Sequence, residues 1–292
     1  MLIVNSQQII NNDVWRESFF SLAQNTFSLQ FQQWYEWGLW DPEEYDVYAV
    51  VNQDEIVAAV AISLHSLVID NQVVSAGLIG TVMTDVRYQG KGLSKKLMLA
   101  LLAHYESKLD IIYLFANARV LEFYPKFGFE KREMATYSLI VKDFPKSNIE
   151  WEKISLYNEE QRQRIINKIN ERVAVSQRFG VIHHTGIVLH NLLYKYEGNV
   201  YYNKALDAYV VYIIKENTLE LYDVITSEDI ALETIVQSLP LIGVKNIYFG
   251  FTVEQRSLDI HKSLFIDDGA LFVKNIRAEY PNNVLIPYTS LA

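Results

Sequence analysis

The sequence contains no cysteine, which excludes disulfides, thiolate metal ligands and a cysteine nucleophile. It also lacks an excess of positive charge. Its 26 Lys and Arg face 35 Asp and Glu, leaving a net charge of −9 and a pI near 5.2. That balance argues against a general nucleic-acid binder or a protein of anionic membranes, and it is compatible with a cationic amine substrate. No basic stretch followed by an apolar core opens the chain, and no apolar run reaches the ~20 residues of a membrane span, so a cytoplasmic protein without a signal peptide is expected. What is present is apolar. Half of the 292 residues are hydrophobic and 13% aromatic, enough for packed cores in about two ordinary domains of ~150 residues. The 19 tyrosines and 14 phenylalanines leave material for a homo-oligomeric interface.

Apolar periodicity predicts a helix over 13–25, with Asp13 as N-cap. Strands at 46–51, 56–69 and 72–84 follow, joined by the short polar segments Asn52-Gln53-Asp54-Glu55 and Asp70-Asn71, which read as antiparallel hairpins. A helix from Leu93 to about Lys108 carries Leu93, Leu97, Leu101 and Tyr105 on one face. A buried strand at 111–116, a short helix before Tyr124 and a last strand at 132–141 complete the first half. The order, a meander and then a β-helix-β crossover, gives an α/β (α+β) class: a mixed, mostly antiparallel sheet flanked by helices. The pattern breaks at Asp143-Phe144-Pro145-Lys146-Ser147-Asn148, dividing the chain into domains at 1–145 and 150–292. The second half repeats the outline, with helices expected at 158–175, 185–193, 228–239 and near 254–262. Its strands are expected at 199–203, 207–215, 218–225, 246–251 and 270–275.

The segment Arg87-Tyr88-Gln89-Gly90-Lys91-Gly92 stands between a strand and a helix. Two glycines allow a tight turn and a close approach of ligand to backbone. Free N–H groups and the positive end of the helix dipole then converge on one point, a site for phosphate. Lys91, Lys95 and Lys96 stand beside the turn. A Walker loop is excluded by Asp85 and Gly92 at its key places, and a dinucleotide fingerprint by Lys95 and by a strand that closes an antiparallel series.

With Arg87, Gly90 and Gly92 in place, the segment resembles the acetyl-CoA pyrophosphate loop of the GNAT superfamily of N-acetyltransferases. Val86 stands where that family commonly has proline. A second stretch, Asn117-Ala118-Arg119-Val120-Leu121-Glu122-Phe123-Tyr124-Pro125-Lys126-Phe127-Gly128-Phe129-Glu130, is similar to the family's later motif. The resemblance implies acetyl-CoA as co-substrate, held by Val82, Met83, Thr84, Arg87, Gln89, Gly90, Lys91, Gly92, Leu93, Ser94 and Asn117, with Tyr124 as proton donor. In the second half the corresponding place reads Thr226-Ser227-Glu228-Asp229. Its two carboxylates would cap a helix and repel pyrophosphate, which implies a degenerate acetyltransferase-like domain without cofactor. The tandem resembles, more loosely, the first two domains of the enhanced-intracellular-survival acetyltransferases, whose third, sterol-carrier-like domain has no room here.

An amine attacking a thioester needs a free lone pair, a donor for the developing oxyanion and a proton for the departing thiolate. Backbone N–H groups among Val82, Met83 and Thr84 can contribute roughly 3 kcal/mol to an oxyanion. A phenol of pKa about 10 stays protonated at neutral pH and protonates a thiol of pKa about 8.5 only uphill. The alternative for Tyr124 is a packing role. For the acceptor, Trp34 and Trp37, with Tyr35 and Trp40, offer cation–π walls or else core. The base stays open among Glu36, Asp41, Glu43, Glu44 and a water relay. His183, His184 and His190 lack a further ligand at metal spacing, so no metal is expected. The resulting expectation is an N-acetyltransferase acting on a primary amine of a small molecule or peptide, with no nucleic-acid or membrane partner. The rival is a non-catalytic acyl-CoA-binding or protein-interaction module.

Overall fold

The computed structural model describes residues 1–142, 149–254, 258–265 and 269–291. The boundary expected at residues 143–148 lies outside the described residues. The chain opens with strand β1 (Leu2–Asn5) and helices α1 (Ser6–Ile10), α2 (Asp13–Phe27) and α3 (Gln32–Glu36). The N-cap of α2 is Asn12, which accepts from Trp15 N at 3.1 Å. Asp13, expected there, is the first helical residue and pairs with Arg16.

Strands β2 (Tyr45–Asn52), β3 (Glu55–Ile69) and β4 (Gln72–Thr84) form the expected meander. Its turns put Gln53, Asp54, Asp70 and Asn71 at positive φ, the backbone that closes a two-residue hairpin without splaying its strands. Helix α4 (Leu93–Tyr105) lays Leu93, Leu97, Leu101 and Tyr105 on the sheet, as their spacing predicts. It delivers the chain to β5 (Ile111–Ala116), which lies parallel to β4.

Beyond β5 come β6 (Glu130–Arg132), β7 (Ala135–Ile140) and β8 (Glu152–Lys153). Helix α5 (Glu159–Asn170), β9 (Phe179–Ile182) and α6 (Thr185–Tyr194) lead into a second meander. Its strands are β10 (Val200–Asn203), β11 (Ala208–Lys215) and β12 (Thr218–Thr226), and α7 (Leu232–Ser238) crosses to β13 (Asn246–Phe249). The helix expected at 228–239 is confined to α7, and Glu228 and Asp229 do not cap it: Ala231 is the N-cap, while Glu228 N–H donates to Thr226 Oγ1. Of the helix expected near 254–262, residues 255–257 lie outside the described residues, and its end is corrected. Ile260 begins β14 (Ile260–Leu264), whose antiparallel ladder to β7 overrides the local pattern.

The last strand, β15 (Ala270–Asn275), reveals how the halves are joined. The first sheet runs β1-β2-β3-β4-β5-β15-β6, with β9 also on β3; the second runs β14-β7-β13-β12-β11-β10-β8. Strand β7, expected to close the first half, lies between β13 and β14 of the second sheet. Strand β15, expected in the second half, lies between β5 and β6 of the first. The exchange is reciprocal and deeply packed. Leu271 and Val273 enter one core beneath the first sheet and Phe272 the core under α4, while Tyr137 and Leu139 enter the core of the second. At about 1.5–3 kcal/mol per buried large apolar side chain, each half completes the other's core.

Candidate active site

Strands β4 and β5 pair in parallel from Ala76–Ile111 to Ile79–Leu114 and then part. The cause is in β4. Opposite Val60 of β3 it has both Thr81 and Val82, a bulge that turns the strand. Thr81 sits at φ +44, a strained conformation for a β-branched residue that costs on the order of 1–3 kcal/mol. The buried hydroxyls of Tyr45 and Thr81 meet at 3.1 Å and hold it there. From the bulge to Thr84, the edge of β4 that faced β5 has no ladder partner among the described residues, and Val82, Met83 and Thr84 lie along it.

The glycine turn joins the end of β4 to the start of α4. Gly90 and Gly92 have φ of +75 and +74, and a Cβ built on either meets no atom within 4 Å. Their role is therefore conformation and open space, not relief of crowding. Gly92 is the N-cap of α4 and offers no side-chain cap, so the first N–H groups of the helix, including those of Leu93 and Ser94, remain available to a ligand. Gln89 Nε2 donates to Thr84 O at 3.2 Å, and the Thr84 and Ser94 hydroxyls lie 2.8 Å apart, stitching strand end to helix start. Arg87 points its charge elsewhere: its guanidinium holds Asp85 at 2.8 Å and Glu55 at 3.0 Å. Those bonds hold the Asp85 carboxyl below the usual carboxylate range. Lys91 lies 4.5 Å over the Tyr88 ring. Lys91, Lys95 and Lys96 are exposed and have no carboxylate partner among the described residues.

Tyr124 opens a 3-10 turn, Tyr124–Phe127, and its ring is buried against Phe123, Phe129 and Phe272. Burial pushes its phenol up to about 12, and its hydroxyl has no hydrogen-bond partner among the described residues. Phe272 belongs to the exchanged strand, and from the same strand Lys274 Nζ donates to Phe127 O at 2.7 Å and pairs with Glu106. Asn117 spends its side-chain oxygen on Arg119 N at 3.1 Å, capping the turn after β5.

The acceptor residues fare differently. Trp34 is 0% exposed and donates its indole N–H to Gly186 O at 2.8 Å, so it is core and not a wall open to substrate. Trp37 does stack with a cation, but that cation is Arg162, 4.2 Å from the ring. Tyr35 is likewise covered by Arg16, and Trp40 is buried with its N–H on Tyr45 O. Glu36 is exposed and accepts from Gln32 and Gln33, and Asp41 caps Glu43 N. Glu44 stands apart from these. It is half-buried, accepts from Gly186 N at 3.2 Å, and burial raises its pKa above the usual carboxylate value. The three histidines are separated: His183 meets Ser66, His184 stacks on His65 and His190 meets Gln30 O. No group of three metal-ligating side chains occurs among the described residues. No helix there is long and apolar enough to cross a membrane. The sequence does not single out Thr81, Tyr45, Phe272 or Lys274, because each acts through a partner distant in the chain.

Residues 11–132 match the family described as acetyltransferase (GNAT) domain. The match ends at Arg132, the last residue of β6, where the chain leaves for the other sheet. No curated protein matches by sequence. Among solved structures, one from Enterococcus faecalis V583, described as a conserved protein of unknown function and probable N-acyltransferase, is 17% identical. It aligns over 94% of this chain and 73% of its own with a TM-score of 0.61. A GCN5-related N-acetyltransferase from Kribbella flavida is 12% identical over 94% and 71%, TM-score 0.57. Eis1 from Mycobacterium abscessus is 12% identical over 79% and 64%, TM-score 0.51. At these identities the likeness is one of fold, and it extends over both halves.

Proposed function

We propose that the protein is an acetyl-CoA-dependent N-acetyltransferase that acts on a primary amine of a small molecule or peptide, with its chemistry confined to the first half. The observation that carries this reading is the meeting of the unpaired edge of β4 with an unobstructed Gly90–Gly92 turn at the uncapped start of α4. Both lie within the matched GNAT domain. A pyrophosphate fits the turn: backbone donors from Gln89 to Ser94 are available, no Cβ intrudes, and Lys91, Lys95 and Lys96 supply positive charge. Acetyl-CoA supplies the acyl group as a thioester. The β4 edge at Val82–Thr84 orients donors toward a carbonyl oxygen, and Arg87 acts by fixing Asp85 and hence the turn.

Tyr124 is assigned the proton donor. With its phenol near 12, full transfer to a thiolate of pKa about 8.5 is uphill by about 5 kcal/mol. Its contribution is therefore a hydrogen bond held at the departing sulfur more than a completed transfer. Glu44 is assigned the base among the offered carboxylates. It is the half-buried one with a raised pKa, and it directly precedes Tyr45, whose hydroxyl reaches the bulge. A carboxyl raised toward neutrality accepts a proton from an ammonium more readily than an ordinary one.

The test is free-thiol release from acetyl-CoA over a panel of amines, for wild type and Tyr124→Phe. The variant keeps the ring and its packing, so acetyl-CoA affinity and melting temperature should hold while turnover falls by roughly 10²-fold or more. Equal turnover would return Tyr124 to a packing role. Acetyl-CoA binding without thiol release for any amine would instead favour a binding module.

A further inference from the structure

A second cavity lies far from this site. It has a volume of about 390 Å³, within the size range of small-ligand pockets. The tip of the β3–β4 hairpin, at Asp70 and Asn71, forms one wall, and Tyr137 of β7 and Lys262 of β14 form another. The cavity thus spans the two sheets. From the bulge at Thr81, β4 runs roughly 30 Å to that tip at ~3.3 Å per residue. A ligand in this cavity therefore cannot be the acceptor at the thioester.

The charged groups of the wall are Arg178, Lys262, Asp70 and Glu254. Both oxygens of Asp70 are taken by one nitrogen of Arg178, Nη1, at 2.7 and 2.8 Å. The other Arg178 side-chain nitrogens have no partner among the described residues. Glu254 Oε1 already accepts from Ser176 Oγ and from the backbone N–H groups of Gln177 and Arg178. Lys262 has no carboxylate partner among the described residues; its Nζ lies 5.6 Å from the Tyr137 ring centre. Burial and then the Arg178 charge lower its pKa, the mark of two cations facing one space. Asn71, Gln177 and Asn283 also line the cavity, and their side-chain amides have no hydrogen-bond partners among the described residues. The Tyr137 hydroxyl donates to Asn283 O at 2.9 Å.

Two cations and three side-chain amides line one space in which both Asp70 oxygens and Glu254 Oε1 are already engaged, an arrangement that matches an oxyanion. We propose that this junction cavity binds the carboxylate or phosphate group of a small polar molecule between Arg178 and Lys262. Such a ligand would tie the hairpin tip of the first sheet to the second sheet, and by binding only the folded chain it would stabilise the whole.

The experiment is thermal unfolding of the full chain, titrated separately with inorganic phosphate and with succinate. Ionic strength is held constant with chloride. A saturable rise in melting temperature with either probe is expected, and the one that acts identifies the group recognised. Lys262→Gln removes a charge-assisted contact and should weaken that binding by about tenfold or more. Asn283→Asp, which places a negative charge in the wall, should do the same if Lys262→Gln fails to fold. A shift that persists in these variants would put the anion elsewhere, and the absence of any saturable shift would also overturn the proposal.

Discussion

The two sheets place the same device at the same point and use it oppositely. In the first, β4 leaves its parallel partner after Ile79 and carries an extra residue at Thr81–Val82. In the second, β12 leaves β13 after Leu221 and carries an extra residue at Tyr222. Past the bulge the β5-facing edge of β4 has no ladder partner among the described residues, and the Gly90–Gly92 turn that follows has no atom within 4 Å of either Cβ position. The second is filled by its own chain. Gly250 N donates to Leu221 O at 2.7 Å, and Gly250 lies so near Tyr222 that a Cβ would stand 2.9 Å from its Cα. Tyr288 N then bonds Gly250 O, and three hydrogen bonds join Thr252 and Leu285. Where the first half has its glycine turn, the second leaves a cavity of only about 10 Å³ beside Thr226, Glu228 and Asp229. A bulge therefore opens a cofactor cleft only if the following segments leave the gap empty. The reading that the second half binds no acetyl-CoA gains a steric reason beside the electrostatic one.

The largest effect expected is on folding. If each half completes the other's sheet, residues 1–145 and 150–292 expressed separately should each lack a cooperative unfolding transition, and co-expression should restore a soluble pair. Alone, the first half leaves β5 without Leu271, Phe272 and Val273, a loss of several kcal/mol against a typical total of 5–15. A first half that folds alone and is stabilised by acetyl-CoA would show that the exchange is dispensable. The comparison would then be one between independent domains.

Next in size is the effect on the cofactor. Gly90→Glu puts a carboxylate into the turn and should raise the acetyl-CoA dissociation constant by about a hundredfold or more, the scale of two lost charge-assisted contacts. The shift in melting temperature with acetyl-CoA should vanish with it. Asp229→Lys, in the counterpart, should leave both unchanged. Gly90→Ala separates causes, since it adds the strain of a positive φ without the charge. A folded Gly90→Glu protein with an intact shift would move the cofactor out of the first cleft, and cofactor in both clefts would erase the asymmetry.

How much of this was legible in the sequence follows from how local each feature is. The meander, α4 and the glycine turn depend on hairpin residues, four-residue spacing and two glycines, all of which act on their neighbours, and they emerge almost residue for residue. The sheet assignment of β7 and β15 does not. Ala135–Ile140 and Ala270–Asn275 both read correctly as strands, but which edge a strand joins is decided by a partner far along the chain. Trp34 illustrates the same limit. An aromatic cluster is visible at 34–40, yet only the fold tells that Gly186 O waits for the indole N–H and that α6 covers the ring. The bulge at Thr81 is silent for a related reason: its strain is held by Tyr45, a residue of another strand.

The smallest effect concerns the seam between the halves. His65 on β3 and His184, just before α6, stack with ring centres 4.4 Å apart, and both are buried. The Tyr113 hydroxyl meets His65 Nε2 at 2.8 Å, whereas both nitrogens of His184 lack a partner among the described residues. Beyond burial, the neighbouring His65 and then the Arg172 charge add to the cost of protonating His184. Burial lowers His65 to about 4 and His184 well below its ordinary value. In the unfolded chain both take up protons near pH 6.5. Below that pH the unfolded state therefore binds more protons than the native one, so stability present above about 6.5 is lost progressively as pH falls towards 4. His65 alone accounts for on the order of 3 kcal/mol across that window. The measurement is urea unfolding between pH 7.5 and 5 for wild type and His184→Phe. The variant keeps an aromatic ring at the seam and removes one titrating group, so its loss of stability with acid should be shallower by about one proton's worth. Identical slopes would mean that His184 already finds a proton acceptor in the native seam, and that the two halves meet there less tightly than their burial implies.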